Sequence, residues 1–208
     1  FFEFINSRRV SGYGTIIKAI LAHFYLISIH PFGDGNGRTS RGLEAYILYC
    51  GDYNVCGFYS LANFYYKNRK EYVEQLQKAR FENKGNLTEF VIFSLRGFRS
   101  ELELIQEEIL DFVRKILFLN YVRELEIVED INWRISSLLE YMVKEDKKIK
   151  VNEFKARDHY IVELIYKEYK GSKTLIRDLK LMTDLGLIKI AENHIQPRIE
   201  IMDNFTVI

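Results

Sequence analysis

The spacing of apolar residues divides the chain into blocks of helical period. Residues 14–29 (GTIIKAILAHFYLISI) are apolar nearly all round, the pattern of a buried helix. The stretch 31–37 interrupts it. Helical spacing resumes over 38–50, with Leu43, Ile47 and Leu48 on one side. Residues 54–60 read as a short connection. A helix is predicted over 62–81, its lysines and arginines opposing Tyr65, Tyr72, Leu76 and Ala79. Gly85-Asn86 breaks the chain again. Over 87–128, Leu102, Ile105, Ile109, Phe112 and Ile116 recur at steps of three and four, which predicts one or two long helices.

The character changes near residue 130. A helix is predicted over 131–143, then a charged turn over 144–148, then two shorter helical pieces over 151–156 and 159–169. Ser172 is placed to cap a helix carrying Leu175, Leu179, Leu181 and Leu185, and Gly186 to end it. Residues 187–190 and 197–201 alternate as two strands around Asn193-His194. Three helices followed by a hairpin predict a winged helix-turn-helix. The expected fold is mainly α: a helical core over 1–129, with long helices at its end, and a small winged helix-turn-helix domain over 130–208.

Composition narrows the function classes. The 208 residues, 48% of them apolar, suffice for one sizeable core or for a large and a small one. A net charge of +1 gives no field that demands nucleic acid or membrane. No run is long and apolar enough for a membrane-spanning helix. Cys50 and Cys56 are the only cysteines, without a Cys-x-x-Cys pair or a secretory leader. They read as ordinary buried thiols in a reducing, cytoplasmic compartment. The opening Phe1-Phe2-Glu3-Phe4 reads as the middle of an amphipathic helix, so a fragment is expected.

Chemistry concentrates in one segment, His30-Pro31-Phe32-Gly33-Asp34-Gly35-Asn36-Gly37-Arg38-Thr39-Ser40-Arg41. A loop that ends Gly-Asn-Gly and runs into a helix makes an anion site, because the first helical amides lack partners and the helix dipole favours negative charge there. Gly35 and Gly37 allow close backbone approach, and the Asn36 amide can donate. Arg38 and Arg41 are three apart and share a helix face, with guanidinium groups suited to phosphate. Asp34 sits where a single carboxylate and the phosphates would hold Mg²⁺. Imidazole, as a residue type, titrates near neutrality, so His30 could take a proton from an attacking hydroxyl. Other glycine motifs fit worse. A dinucleotide fingerprint needs glycine where Arg38 stands, a Walker loop needs Gly-Lys-Ser/Thr, and a calcium loop needs glycine where Thr39 stands.

The string His-Pro-Phe-x-Asp-Gly-Asn-Gly-Arg-x-x-Arg resembles the signature of the Fic family and matches each fixed position. Lys18-Ala19-Ile20-Leu21-Ala22-His23-Phe24 before it and Lys67-Asn68-Arg69-Lys70-Glu71-Tyr72 after it also resemble that family. The resemblance covers about residues 1–115. It implies a Fic-type helical core that transfers AMP from ATP to a Tyr, Ser or Thr hydroxyl of a target protein, with Mg²⁺. By position it implies that His30 deprotonates the hydroxyl and Phe32 anchors the loop in the core. Asp34 would hold Mg²⁺; Gly35, Asn36, Gly37, Arg38 and Arg41 would bind the nucleotide. Gly35 and Gly37 favour nucleotidyl transfer over the Doc-like kinase branch. The family's target-aligning flap and its inhibitory Ser/Thr-x-x-x-Glu-Gly/Asn helix are expected before residue 1. A paired Tyr-Tyr often found at the adenine side is Tyr72-Val73 here.

Plainer roles stand beside these. His23 reads as a core histidine, and Tyr72 and Asn68 as packing or helix surface as readily as adenine contacts. Residues 131–208 hold 14 basic and 12 acidic residues, a difference of +2, too little to demand DNA. Lys173, Arg177 and Lys180 nevertheless follow one face of the presumed recognition helix, where Asp178 and Asp184 dilute the charge. The partners implied are a hydroxyl-bearing target protein, with DNA through the winged helix and a homodimer as options, and no membrane. Two alternatives stay open: a DNA-binding regulator whose Fic-like core senses a nucleotide, and transfer from another donor such as UTP or a phosphocholine carrier.

Overall fold

The computed structural model describes residues 1–53, 61–83, 85–169 and 172–205. It is mainly helical and separates into two compact units, Phe1–Glu108 and Ile109–Ile208. The expected connection over 54–60, and with it Cys56, lies outside the described residues.

The first unit begins with two short helices, α1 (Phe2–Ile5) and α2 (Arg8–Ser11). Helix α3 (Thr15–Ile29) follows Gly14 and buries Ala19 to Phe24 without a break, as its nearly uniform apolarity requires. Helix α4 (Asn36–Cys50) returns against it. The single helix expected over 62–81 is interrupted: α5 (Leu61–Lys67), α6 (Arg69–Gln77) and a π-helical turn (Lys78–Glu82) succeed one another. Asn68 marks the first break, turning its side-chain amide onto the Phe64 carbonyl at 3.0 Å. Its φ of −108° lies off the helical value. Helix α7 (Thr88–Ile127) is one continuous element. Ile20, Phe24, Leu48, Tyr65, Leu76, Phe90 and Phe93 form the core of this unit.

In the second unit the end of α7 supplies Phe118, Val122 and Leu125 to a core shared with α8 (Trp133–Lys144), α9 (Val151–Ala156), α10 (Tyr160–Tyr166) and α11 (Lys173–Asp184). A three-stranded antiparallel sheet closes it: β1 (Ile149–Lys150), β2 (Ile188–Ala191) and β3 (His194–Pro197), in the order β1-β3-β2. The hairpin sits earlier than the alternation suggests. Glu192 and Asn193 both have positive φ, the signature of a two-residue type I′ turn, so His194 is already a strand residue facing Ala191. Of residues 197–201, expected as a strand, Pro197 ends β3 and 199–201 enter a 3₁₀ helix (Ile199–Phe205) instead.

Asn132 caps α8, accepting from the Arg134 and Ile135 amides. Ser172 makes no side-chain cap on α11. Of the two acidic residues expected to dilute the α11 face, Asp184 is exposed but Asp178 points the other way. Asp178 is fully buried and accepts from Arg134 Nε at 2.8 Å, from Tyr166 Oη at 3.1 Å and from Asn132 Nδ2 at 3.3 Å. Arg134 also lies over the Tyr169 ring, 4.6 Å from its centroid. With Arg134 Nη2 also donating at 3.3 Å, four donor atoms satisfy Asp178, which lets it accompany the apolar residues inward.

Candidate active site

Two helix ends make the site. Helix α3 stops at His30, which takes a left-handed conformation (φ 53°, ψ 55°) while its amide still donates to the Leu26 carbonyl. Pro31 has no amide to continue the ladder, so the helix ends where the imidazole is presented. The last turn is held from outside by a residue that the motif does not include. Arg80, on the π-helical turn, donates to the Ile27 carbonyl at 2.7 Å and to Ser28 Oγ at 3.0 Å. The insertion that makes a π turn shifts side chains around the helix, and no apolar period reveals it.

Helix α4 starts at Asn36 behind Gly35, which has a φ of 84° and a ψ of 2°, a conformation that favours glycine. No side chain caps the first amides of α4, which leaves that positive end open to an anion. Asn36 is buried (3% exposed) and staples the loop. Its Oδ1 accepts from the Phe32 amide at 2.9 Å, and its Nδ2 donates to the Phe32 carbonyl at 2.5 Å. The same Nδ2 lies 3.2 Å from His30 Nδ1 and 3.3 Å from Nε2. The Asn36 side chain is therefore committed to the loop and the imidazole. Phe32, expected to anchor the loop in the core, is 46% exposed and is tied through its backbone.

The charged residues gather here. Arg38 Nη2 and Asp34 Oδ2 pair at 3.1 Å with both side chains well exposed (77% and 93%). Arg41 folds back over Gly37: a Cβ added there would lie 3.1 Å from its Nη1. Together His30, Gly33, Asp34, the 35–38 turn and Arg41 line an open depression of about 290 Å³. Larger cavities occur elsewhere, including one of about 750 Å³ beside α11. Chemistry rather than volume marks the site: among the described residues, an imidazole, a carboxylate, free helix amides and two guanidinium groups converge here.

The other sequence candidates fall apart from it. Tyr72 is buried in the core with its hydroxyl 2.8 Å from His23 Nε2, and His23 is fully buried, as a core histidine should be. Burial pushes the Tyr72 phenol up to about 12. Val73 is exposed. Cys50 is exposed rather than buried: it is the last residue of α4, where the helix leaves the core. Lys173, Arg177 and Lys180 lie together on the exposed face of α11 in the second unit.

Comparison with known proteins gives the same direction. The chain is similar to a protein adenylyltransferase Fic from Aedes aegypti, 34% identical over 93 residues, covering 45% of this chain and 17% of the relative. It is also similar to a protein of that name from Drosophila erecta, 48% identical over 48 residues, or 23% of this chain and 10% of the relative. The aligned stretch is thus under a fifth of either relative's length. The sequence model described as Fic/DOC family matches residues 2–48. The whole 30–41 segment lies within the matched residues.

Proposed function

We propose that this chain transfers AMP from ATP to a hydroxyl side chain of a target protein. The observation that carries the reading is the convergence of His30 with the uncapped start of α4, Arg38 and Arg41 in one depression of a Fic/DOC-family segment. The similar proteins bear the name adenylyltransferase. In the reaction the target oxygen forms a bond to the α-phosphorus, the α–β bridging bond breaks, and pyrophosphate leaves. His30 takes the hydroxyl proton. The amides of the 36–38 turn and the two guanidinium groups stabilise the phosphate charge and hold the chain of phosphates in line. The donor set fits a metal held mostly by phosphate and water: among the described residues no cluster of three His, Cys, Asp or Glu forms a cage, and Asp34 offers one exposed carboxylate beside the turn. Bound Mg²⁺ would neutralise phosphate charge there, with Asp34 as its protein ligand.

Incubation of the full-length protein with α-labelled ATP and candidate targets tests this. Label should pass to protein from wild type and not from His30→Ala. Equal labelling by both proteins would refute it, and mass spectrometry of the product separates AMP from another donated group.

A second reading concerns the second unit. Helices α8 to α11 with the β1-β3-β2 sheet support a winged helix-turn-helix over 130–208. Because Asp178 turns inward, Lys173, Arg177 and Lys180 share an exposed face with Ile176. That face supports contact with DNA phosphates. Duplex binding that weakens with salt and is lost in Lys173→Ala/Arg177→Ala is the expected result; no binding at low salt overturns it.

A further inference from the structure

The segment joining α3 to α4 is exposed along most of its length: Pro31, Phe32, Gly33 and Asp34 all face solvent. Asn36 ties this loop locally, to the Phe32 backbone and to the imidazole. The contact beneath it is of another kind. His23 lies seven residues before His30 on α3, about two turns and ~10 Å along the same face. Glu44 lies three residues beyond Arg41 on α4. Both are buried, and His23 Nδ1 meets Glu44 Oε2 at 3.0 Å.

The outer atoms of this pair are taken as well. Tyr72 of α6 places its hydroxyl 2.8 Å from His23 Nε2. Tyr65 of α5 places its hydroxyl 3.1 Å from Glu44 Oε1 and 3.0 Å from Ser94 Oγ of α7. With the proton of a neutral imidazole on Nδ1, His23 donates to Glu44 and accepts from Tyr72, so the buried carboxylate and imidazole are both satisfied. Packing alone does not call for such a group: well-fitted apolar side chains hold two helices together at least as firmly as a buried ionisable pair. A directional pair adds register, because it admits one axial offset between the helices where apolar contacts admit several.

We propose that His23 and Glu44 are positioning residues for the site, a strut that sets the register of α3 against α4. It thereby sets the distance from the His30 imidazole to the phosphate-binding turn. Neither residue touches the reacting atoms. The kinetic half of the proposal rests on the AMP-transfer reading; the geometric half does not.

The test compares Glu44→Ala with Glu44→Gln in the full-length protein. The amide of the second keeps an acceptor for His23 and a group for Tyr65. Two quantities are measured: kcat and KM for ATP in label transfer, and the ring C–H NMR resonance of His30 without nucleotide, assigned by its loss in His30→Ala. Glu44→Ala should lower kcat about ten- to a hundredfold, the scale of a misplacement of about 1 Å. It should leave the KM for ATP nearly unchanged and move the His30 resonance. Glu44→Gln should bring both readouts back close to wild type. If Glu44→Ala does not fold, Tyr72→Phe, which removes only the hydroxyl on the far side of His23, must move the His30 resonance. A folded Glu44→Ala, or Tyr72→Phe in its place, with the wild-type His30 resonance overturns the proposal. So does a Glu44→Gln as impaired as Glu44→Ala. A wild-type protein that transfers no AMP defeats the functional reading instead, and the resonance alone then decides the strut.

Discussion

Gly37 shows how one missing side chain serves two purposes. Inside α4 a glycine costs about 1 kcal/mol relative to alanine. An added methyl carbon would lie 3.1 Å from Arg41 Nη1, so the guanidinium would have to shift by a few tenths of an ångström. Gly37→Ala should therefore raise the melting temperature slightly while weakening nucleotide binding. Displacing one charge-assisted contact corresponds to about 1–2 kcal/mol, or roughly five- to thirtyfold in Kd. Calorimetric titration with ATP and a thermal melt of the same sample check both signs. At this scale the sequence was legible: each of the motif's charged side chains lies in the depression. What it did not disclose were the partners. Asn36 spends its amide on Phe32 and His30, and Asp178 turns inward among donors from distant helices, which no spacing along the chain reveals.

Among the elements, the two helix ends of the site are secured differently. The start of α4 is held by Asn36, and the end of α3 by Arg80 reaching across from the π-helical turn. A cation on the last carbonyls of a helix is worth about 0.3–1 kcal/mol where exposed. Arg80→Ala should leave global stability within that range. It should also speed hydrogen exchange of the last α3 amides, Ile27 to His30, relative to those at Ile20 and Leu21. Helical period predicted α3, α4, α9 and α11 closely. It missed the breaks around Asn68 and over 78–82, where apolar spacing continues through a change of helix type. It misplaced β3 as well, because a type I′ turn at Glu192-Asn193 carries none of the usual glycine.

At the scale of the molecule, each of the two units carries a polar cluster inside its main core. In the first unit burial raises the phenols of Tyr65 and Tyr72, the latter from 10.0 to about 12. A group whose folded value is raised contributes its full stability below its unfolded value and loses it as pH climbs through the folded one. The protein should thus hold its stability up to about pH 10 and lose roughly 2–3 kcal/mol for Tyr72 alone by pH 12. Tyr72→Phe should flatten that part of a denaturation series taken at rising pH. In the second unit, Asp178→Ala would leave Arg134 buried without its carboxylate, which costs about 3–5 kcal/mol. Fluorescence of Trp133, the chain's single tryptophan, one residue from Arg134, should report the lowered transition.

The exposed pair of Asp34 and Arg38 has a consequence for the order of events at the site. In the resting protein the residue suited to a cation and the residue suited to a phosphate neutralise one another. A cation that captures Asp34 releases Arg38, and a phosphate that captures Arg38 releases Asp34. Each ligand removes the other's competitor, so the two bind with positive, reciprocal coupling. The part of the coupling that comes from breaking this pair cannot exceed the pair's own worth, at such exposure about 1 kcal/mol or less, hence no more than roughly fivefold beside what direct metal–phosphate bonds supply. Arg38→Gln should remove that share, lowering the synergy between Mg²⁺ and ATP by up to roughly fivefold, while leaving the cation free to bind.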